Sequence, residues 1–321
     1  AGRGEARFPV AKREEVWMGY CLEPNENPAD GLKRIALEQL DQAIENTSNP
    51  AMDRDEAIHD VRKRMKKLRA VLRMARDELG EKVYKSENAC YREAAKHLAG
   101  LREVAVQVAT VENLKSYFSG QTGVDAFDPL LANLQEQVDA VHGDDPERKS
   151  ALADVADLLR AARGRAKDWP IKARNFSAMA KGVRGVYRRG RKGLRTVTKA
   201  ASDNNFHEWR KSAKYLWYHA RILEASWPAM MSALVAELDI LGDALGADHD
   251  LADLRATLSG NPELSGGAPE LQTVMGFVSL RQDELRSAAL ALGKRIYAEK
   301  PAAFADRLEV YWYIARASTP G

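Results

Sequence analysis

The sequence predicts an all-helical protein built from two related halves, and three observations predict it. Strand signals are nearly absent, with no sustained apolar–polar alternation and no Asn-Gly hairpin turn. Apolar residues recur at helical spacing, and Gly- or Pro-containing breakers divide them at intervals that suit antiparallel helices with short connections, hence bundles. One basic motif also occurs twice, at a nearly constant offset from its surroundings.

Helices are expected near 30–46, 53–79, 82–117, 128–141, 147–166, 174–199, 203–225, 229–258, 269–297 and 301–316. Asn49-Pro50 ends the first, and Asp53 is placed to accept from the open N–H groups of the second. Gly80 separates the second from the third. Ser119-Gly120, Gly123 and Asp128-Pro129 close the third and open the fourth, and Gly143 to Pro146 divides the fourth from the fifth. Trp169-Pro170 separates the halves, giving an extension over 1–29, a first repeat over 30–168 and a second over 171–316. Ser202 is the expected cap of the seventh helix, Trp227-Pro228 opens the eighth, and the run from Ser259 to Pro269 ends it.

The 321 residues, 45% of them apolar, suffice for one large helical domain or two smaller ones. No stretch approaches the ~20 apolar residues of a membrane span. Ala1 to Glu14 lacks the apolar centre of a signal peptide. Cys21 and Cys90 form neither a disulfide framework nor a zinc spacing. The expectation is a cytoplasmic protein with no membrane partner, no metal and no cofactor. The net charge of +3 conceals segregation: Lys181, Arg184, Arg188, Arg189, Arg191, Lys192, Arg195 and Lys199 follow one another with no acid between them, while acids collect around Asp144 and from Asp239 to Asp253.

The repeat reads His59, Arg62, Lys63, Lys66 in the first half and His207, Arg210, Lys211, Lys214 in the second, an H-x-x-R-K-x-x-K pattern offset by 148 residues. Arg73 and Arg221 correspond at that offset. Glu103-Val104-Ala105 and Asp250-Leu251-Ala252 correspond at 147. With about 100° per residue, His59, Arg62, Lys63, Lys66, Arg69 and Arg73 share one helix face, and Val61, Met65, Leu68, Val71, Leu72, Ala75 and Leu79 the opposite one. In the second copy Trp209, Ala213, Leu216, Ala220 and Leu223 oppose His207, Arg210, Lys211, Lys214 and Arg221. Lys181, Arg184, Arg188, Arg191, Lys192 and Arg195 line a third face. Gly182, Gly185, Gly190 and Gly193 lower that helix's intrinsic stability by up to ~1 kcal/mol each, a cost that suggests a counter-charge to meet. A single basic helix is ordinarily a solvated face, but solvated faces interleave both signs, and here three helices present one.

The doubled motif on long amphipathic helices resembles the CHAD family, the conserved-histidine α-helical domain, from about Gly31 to Arg316. Leu241-Gly242 through Asp248-His249-Asp250-Leu251 adds to the resemblance. It implies two pseudo-symmetric antiparallel four-helix bundles, together one CHAD domain, whose basic faces meet at a central groove. It also implies non-catalytic binding of inorganic polyphosphate and association with polyphosphate granules. Carried over by position, the ligand-facing residues are His59, Arg62, Lys63, Lys66, Arg69, Arg73, Lys181, Arg184, Arg188, Arg191, Lys192, Arg195, His207, Arg210, Lys211, Lys214 and Arg221. The first half has only Lys33-Arg34 against the Arg-rich helix of the second, and Arg102-Glu103 against His249-Asp250, so a lopsided groove is expected.

Arg forks and Lys point charges suit phosphate oxygens, and counterion release makes such binding salt-sensitive. His59 and His207 are expected to gain charge as ligand arrives, since neighbouring cations lower their pKa in the free protein. Nucleic acid is the rival ligand, with Trp217 and Tyr218 as stacking candidates whose plainer role is packing at a helix interface. The dipeptides His59-Asp60 and His249-Asp250 superficially resemble a metal-dependent phosphohydrolase dyad, but neighbouring cations oppose a metal, and the expectation is a binding protein rather than an enzyme.

Overall fold

A computed structural model of the chain describes residues 19–23, 25–99, 103–141 and 146–317. The extension before residue 19, Arg102, and the acidic Asp144 and Asp145 lie outside them. The helices are α1 (Pro28–Ser48), α2 (Arg54–Met74), α3 (Arg76–His97), α4 (Glu103–Tyr117), α5 (Phe127–Val141), α6 (Pro146–Lys167), α7 (Ser177–Lys199), α8 (Asp203–Ile222), α9 (Pro228–Gly260), α10 (Ala268–Ile296) and α11 (Pro301–Ala317). Among the described residues there is no strand.

The expected caps are present. Asp53 Oδ2 accepts from the N–H groups of Asp55 (2.9 Å) and Glu56 (3.3 Å), and Ser202 Oγ from that of Asn205 (3.3 Å). Two expected helices are divided. The one foreseen over 53–79 breaks at Ala75, and Gly80 takes a left-handed φ of 70° that turns the chain into the rest of α3. The one foreseen over 82–117 ends at His97 and resumes at Glu103. In the second half the corresponding stretch is the unbroken α9.

Helix α1 packs on α2 and α6, α2 on α3, and α3 on α6. In the second half α7 packs on α8, α8 on α9, α9 on α10, and α10 touches α7, which α11 covers. Helices α4 and α5 pack together, and α4 also lies against α9 and α10. The two repeated segments meet their own counterparts: α2 touches α8, and α4 touches α9, where Gln107 Nε2 donates to Thr257 Oγ1 at 2.7 Å. One apolar core runs through both halves, and the apolar faces of α2 and α8 supply fully buried members such as Val61, Met65, Leu68, Trp209 and Ala213. Burial of Val61, Met65 or Leu68 contributes about 1.5–3 kcal/mol each by removal from water.

The glycines of α7 have a packing cause, which replaces the counter-charge argument for three of them. A Cβ at Gly182 would run into the carbonyl oxygens of Met74 and Arg73, one at Gly190 into the Tyr297 phenol, and one at Gly193 into the Trp209 indole. Only Gly185 faces open space. Close approach of α7 to α2, α8 and the end of α10 therefore offsets the lost propensity.

Candidate functional site

The seam between α2 and α8 positions the repeated cations. His219 is buried on α8, and its Nε2–H donates to the Ala70 carbonyl of α2 at 3.0 Å. Burial pushes its pKa down to about 3, against the opposing effect of that hydrogen bond, so the ring is neutral. Nearby, the Arg73 guanidinium of α2 lies 3.9 Å from the centre of the Tyr215 ring of α8.

Along this seam Lys66 of α2 comes under the field of Arg210 and Lys214 of α8 as well as Arg62 of its own helix. Its side chain keeps an open surface, but crowding by protein atoms, reinforced by those three cations, pushes its ammonium down to about 8. Asp250 of α9 opposes the shift, and burial raises Asp250's own pKa despite Arg210, His249 and Lys66. Residues of two predicted stripes thus come together along one seam, with Asp250 nearest Lys66.

The other predicted residues differ in exposure and in their partners. His59 and Lys211 are exposed and Lys63 half-buried; Lys211 pairs with Glu208. Lys214 lies over Gly242, 3.4 Å from Asp243 and 3.8 Å from Asp239. The His207 ring packs edge-on against His249 at 4.3 Å between centroids. Burial, then His249, Lys211 and Arg210, lower the His207 pKa, the direction expected from the cationic motif. His207 Nδ1 and Arg210 Nε are buried without hydrogen-bond partners among the described residues.

Several predicted contacts are held by the protein itself. Arg62 donates to the Ala95 carbonyl at 2.8 Å, satisfying the last turn of α3. Arg69 and Arg73 share Asn88 Oδ1 at 3.1 and 3.2 Å. Arg191 turns from the stripe to the Tyr297 carbonyl at 3.2 Å, and so braces the end of α10. Arg221 is buried, 4.9 Å from the Trp217 ring and 5.7 Å from that of Tyr20, and lines a different depression, with Tyr20, Cys21, Glu224, Ala225 and Pro228. Arg184, Lys192 and Arg195 occupy the exposed surface of α7, while Lys181 and Arg188 turn toward the α2–α3 corner. The stacking candidates are not open either: Tyr218 is buried, and Trp217 is covered by Arg221 and Lys214.

Five residues absent from the sequence prediction belong here: Arg76, Arg189, Tyr215, Lys67 and Tyr20. Lys67 is buried beside Arg221, which pushes it further down after burial itself, to about 7. Tyr20 packs its ring 5.0 Å from the Lys67 ammonium and donates its O–H to the Lys67 carbonyl at 2.9 Å. At the 148-residue offset Lys67 corresponds to Tyr215, so Arg73 meets an aromatic ring where Arg221 meets a lysine. Arg34, on the less basic α1, is tied to Glu26 (2.7 Å) and Glu38 (2.9 Å). Of the two dipeptides of the enzymatic reading, His59-Asp60 has a carboxylate that accepts from Arg64 and Asn46. Asp248 pairs with Arg286 at 2.6 Å within the core.

The sequence pattern of the CHAD domain matches residues 34–259, from α1 to the end of α9. The chain belongs to the CHAD family. The match crosses the Trp169-Pro170 boundary without interruption and stops short of the extent to Arg316 that the resemblance suggested. Membership is consistent with a polyphosphate-related function. No curated protein matches the sequence. No described helix of this CHAD protein is long and apolar enough to cross a membrane.

Proposed function

We propose that this CHAD protein binds inorganic polyphosphate in the trench between α2 and α8 and does no chemistry on it. The observation that carries the reading is the convergence of Arg62, Arg210 and Lys214, from two helices, on Lys66, whose ammonium they help to push down, with Asp250 opposing. A polyanion relieves that repulsion, and the repulsion is largest in its absence. Beside them, Arg210 Nε is a buried donor without an acceptor among the described residues. On this reading the contacts of α2 with α8 and of α4 with α9 reflect a duplicated pair of four-helix bundles about an approximate two-fold axis. Granule association follows from the ligand.

The test is calorimetric binding of polyphosphates of increasing length at several salt concentrations. Affinity rising with length and falling steeply with salt supports a groove; no dependence on either refutes it. Nucleic acid is the second choice, disfavoured by the covered Trp217 and buried Tyr218. Single-stranded RNA that displaces long polyphosphate at equal phosphate concentration would reverse the order. Phosphate release on adding divalent metal would overturn the non-catalytic reading.

A further inference from the structure

Beyond the trench, at the corner where α2 turns into α3 and α7 crosses, lies a depression of about 290 Å³. Arg73, Arg76, Lys181, Arg188 and Arg189 line it together with the exposed Asp77 and Glu81. Arg73, half-buried, stands seven residues past Lys66 on the same face, about 10 Å along α2 at 1.5 Å per residue. A short extended ligand therefore reaches from one to the other.

The depression differs from the trench in two ways. It is open to solvent but bounded on one side, where α7 approaches the last turn of α2 so closely at Gly182 that a Cβ there would meet the Met74 and Arg73 carbonyls. Its acids sit on the exposed surface, where Asp77 pairs with Lys181 at 2.7 Å and Glu81 with Arg76 at 2.9 Å, and a passing polyanion meets them unfavourably. Its cations act on one another: crowding by protein atoms, then the neighbours Arg76 and Arg188, lower the pKa of the solvent-exposed Arg189, with Tyr84 and Tyr215 opposing.

An interior phosphate of a condensed chain carries one negative charge. A terminal phosphate carries a second that titrates near neutrality, as in a phosphomonoester, and presents three free oxygens. A depression bounded by α7 on one side and lined by five cations from α2, α3 and α7, two of them paired with acids, suits the doubly charged end of a chain. Resting on the polyphosphate reading above, we propose that this corner is an end site that holds the terminal phosphate of a linear condensed phosphate whose body lies along the α2–α8 trench.

The experiment compares binding of linear tripolyphosphate with cyclic hexametaphosphate, which has more charges and no ends. Wild-type protein is expected to bind the linear ion about tenfold more tightly, and the double variant Arg76→Gln/Arg189→Gln to lose most of that preference. Equal or tighter binding of the ring by the wild type overturns the end site, whatever the variant does. ATP, which has one free end and a nucleoside on the other, competing as well as tripolyphosphate would assign the corner to nucleotides and likewise overturn it. A chain of about a hundred phosphates separates the two readings. If it fails to bind, the trench proposal falls; if it binds while ring and linear ions are equivalent, only the end site falls.

Discussion

Replacing Lys66 with Met tests the trench where its electrostatics are most unusual. In the free protein its pKa of about 8 leaves about half of the ammonium groups charged at pH 8, about nine-tenths at pH 7 and about one-tenth at pH 9. Phosphate oxygens at the ammonium favour the charged form and return the pKa toward 10.5. Because the bound form then holds the proton more tightly, binding takes up protons, and affinity falls as pH rises through 8. The uptake is about half a proton at pH 8 and approaches one at pH 9, with affinity losing at most about tenfold per pH unit there. Solvent at the open side of Lys66 screens part of the effect, so these figures are ceilings. Calorimetry in two buffers of different ionisation enthalpy reads the uptake directly, and long chains keep the titrating chain ends few. Lys66→Met should abolish the uptake at pH 8–9 while binding weakens. Heats independent of buffer at pH 8.5, or an uptake that survives the substitution, would refute the convergence of cations on Lys66.

Three further outcomes are expected. Lys67 is buried with its pKa lowered to about 7, so between pH 7 and 10.5 the unfolded chain binds more protons than the folded one and stability rises with pH. Lys67→Met should stabilise the protein in urea melts by about 2 kcal/mol below pH 7, less than half of the ~5 kcal/mol ceiling after relaxation, with the gain shrinking toward pH 10; a pH-independent change contradicts this. Gly182→Ala should cost about 1–3 kcal/mol in the same assay, because the methyl group meets backbone oxygens rather than a yielding side chain. His207→Gln should flatten the rise in polyphosphate affinity as pH falls from 7 to 5.5, since the depressed pKa of His207 is raised by a bound anion; an unchanged profile assigns that rise to other groups.

The face of each basic helix was legible because a 3.6-residue period sorts residues around one axis, and Val61, Met65, Trp209 and Leu216 are buried as that sorting requires. Periodicity says nothing of which neighbour covers a face. Arg221 shares the angular sector of Lys214, yet Tyr20, arriving from before α1, covers it. Arg189 falls about 100° from Arg188 and so outside the solvent stripe, yet that sector is where α7 crosses α2. The division at Ala75 was hidden because Leu79 continues the apolar spacing of α2 across the turn. The end of α3 did carry a signal, since Lys96 and His97 in a last turn followed by Gly100 are the usual marks of a C-terminus. His249 was visible as a motif residue, but its edge-on contact with His207 depends on how α9 lies against α8.

The His219–Ala70 hydrogen bond and the Arg73–Tyr215 stack lock α2 and α8 at one separation before any guest arrives. A host of fixed geometry leaves nearly all the ordering entropy to the partner. On the proposed polyphosphate reading, selection then runs on polymer mechanics: a limp chain of P–O–P links bends more readily past Arg73 than a stiff duplex with a persistence length of about 50 nm.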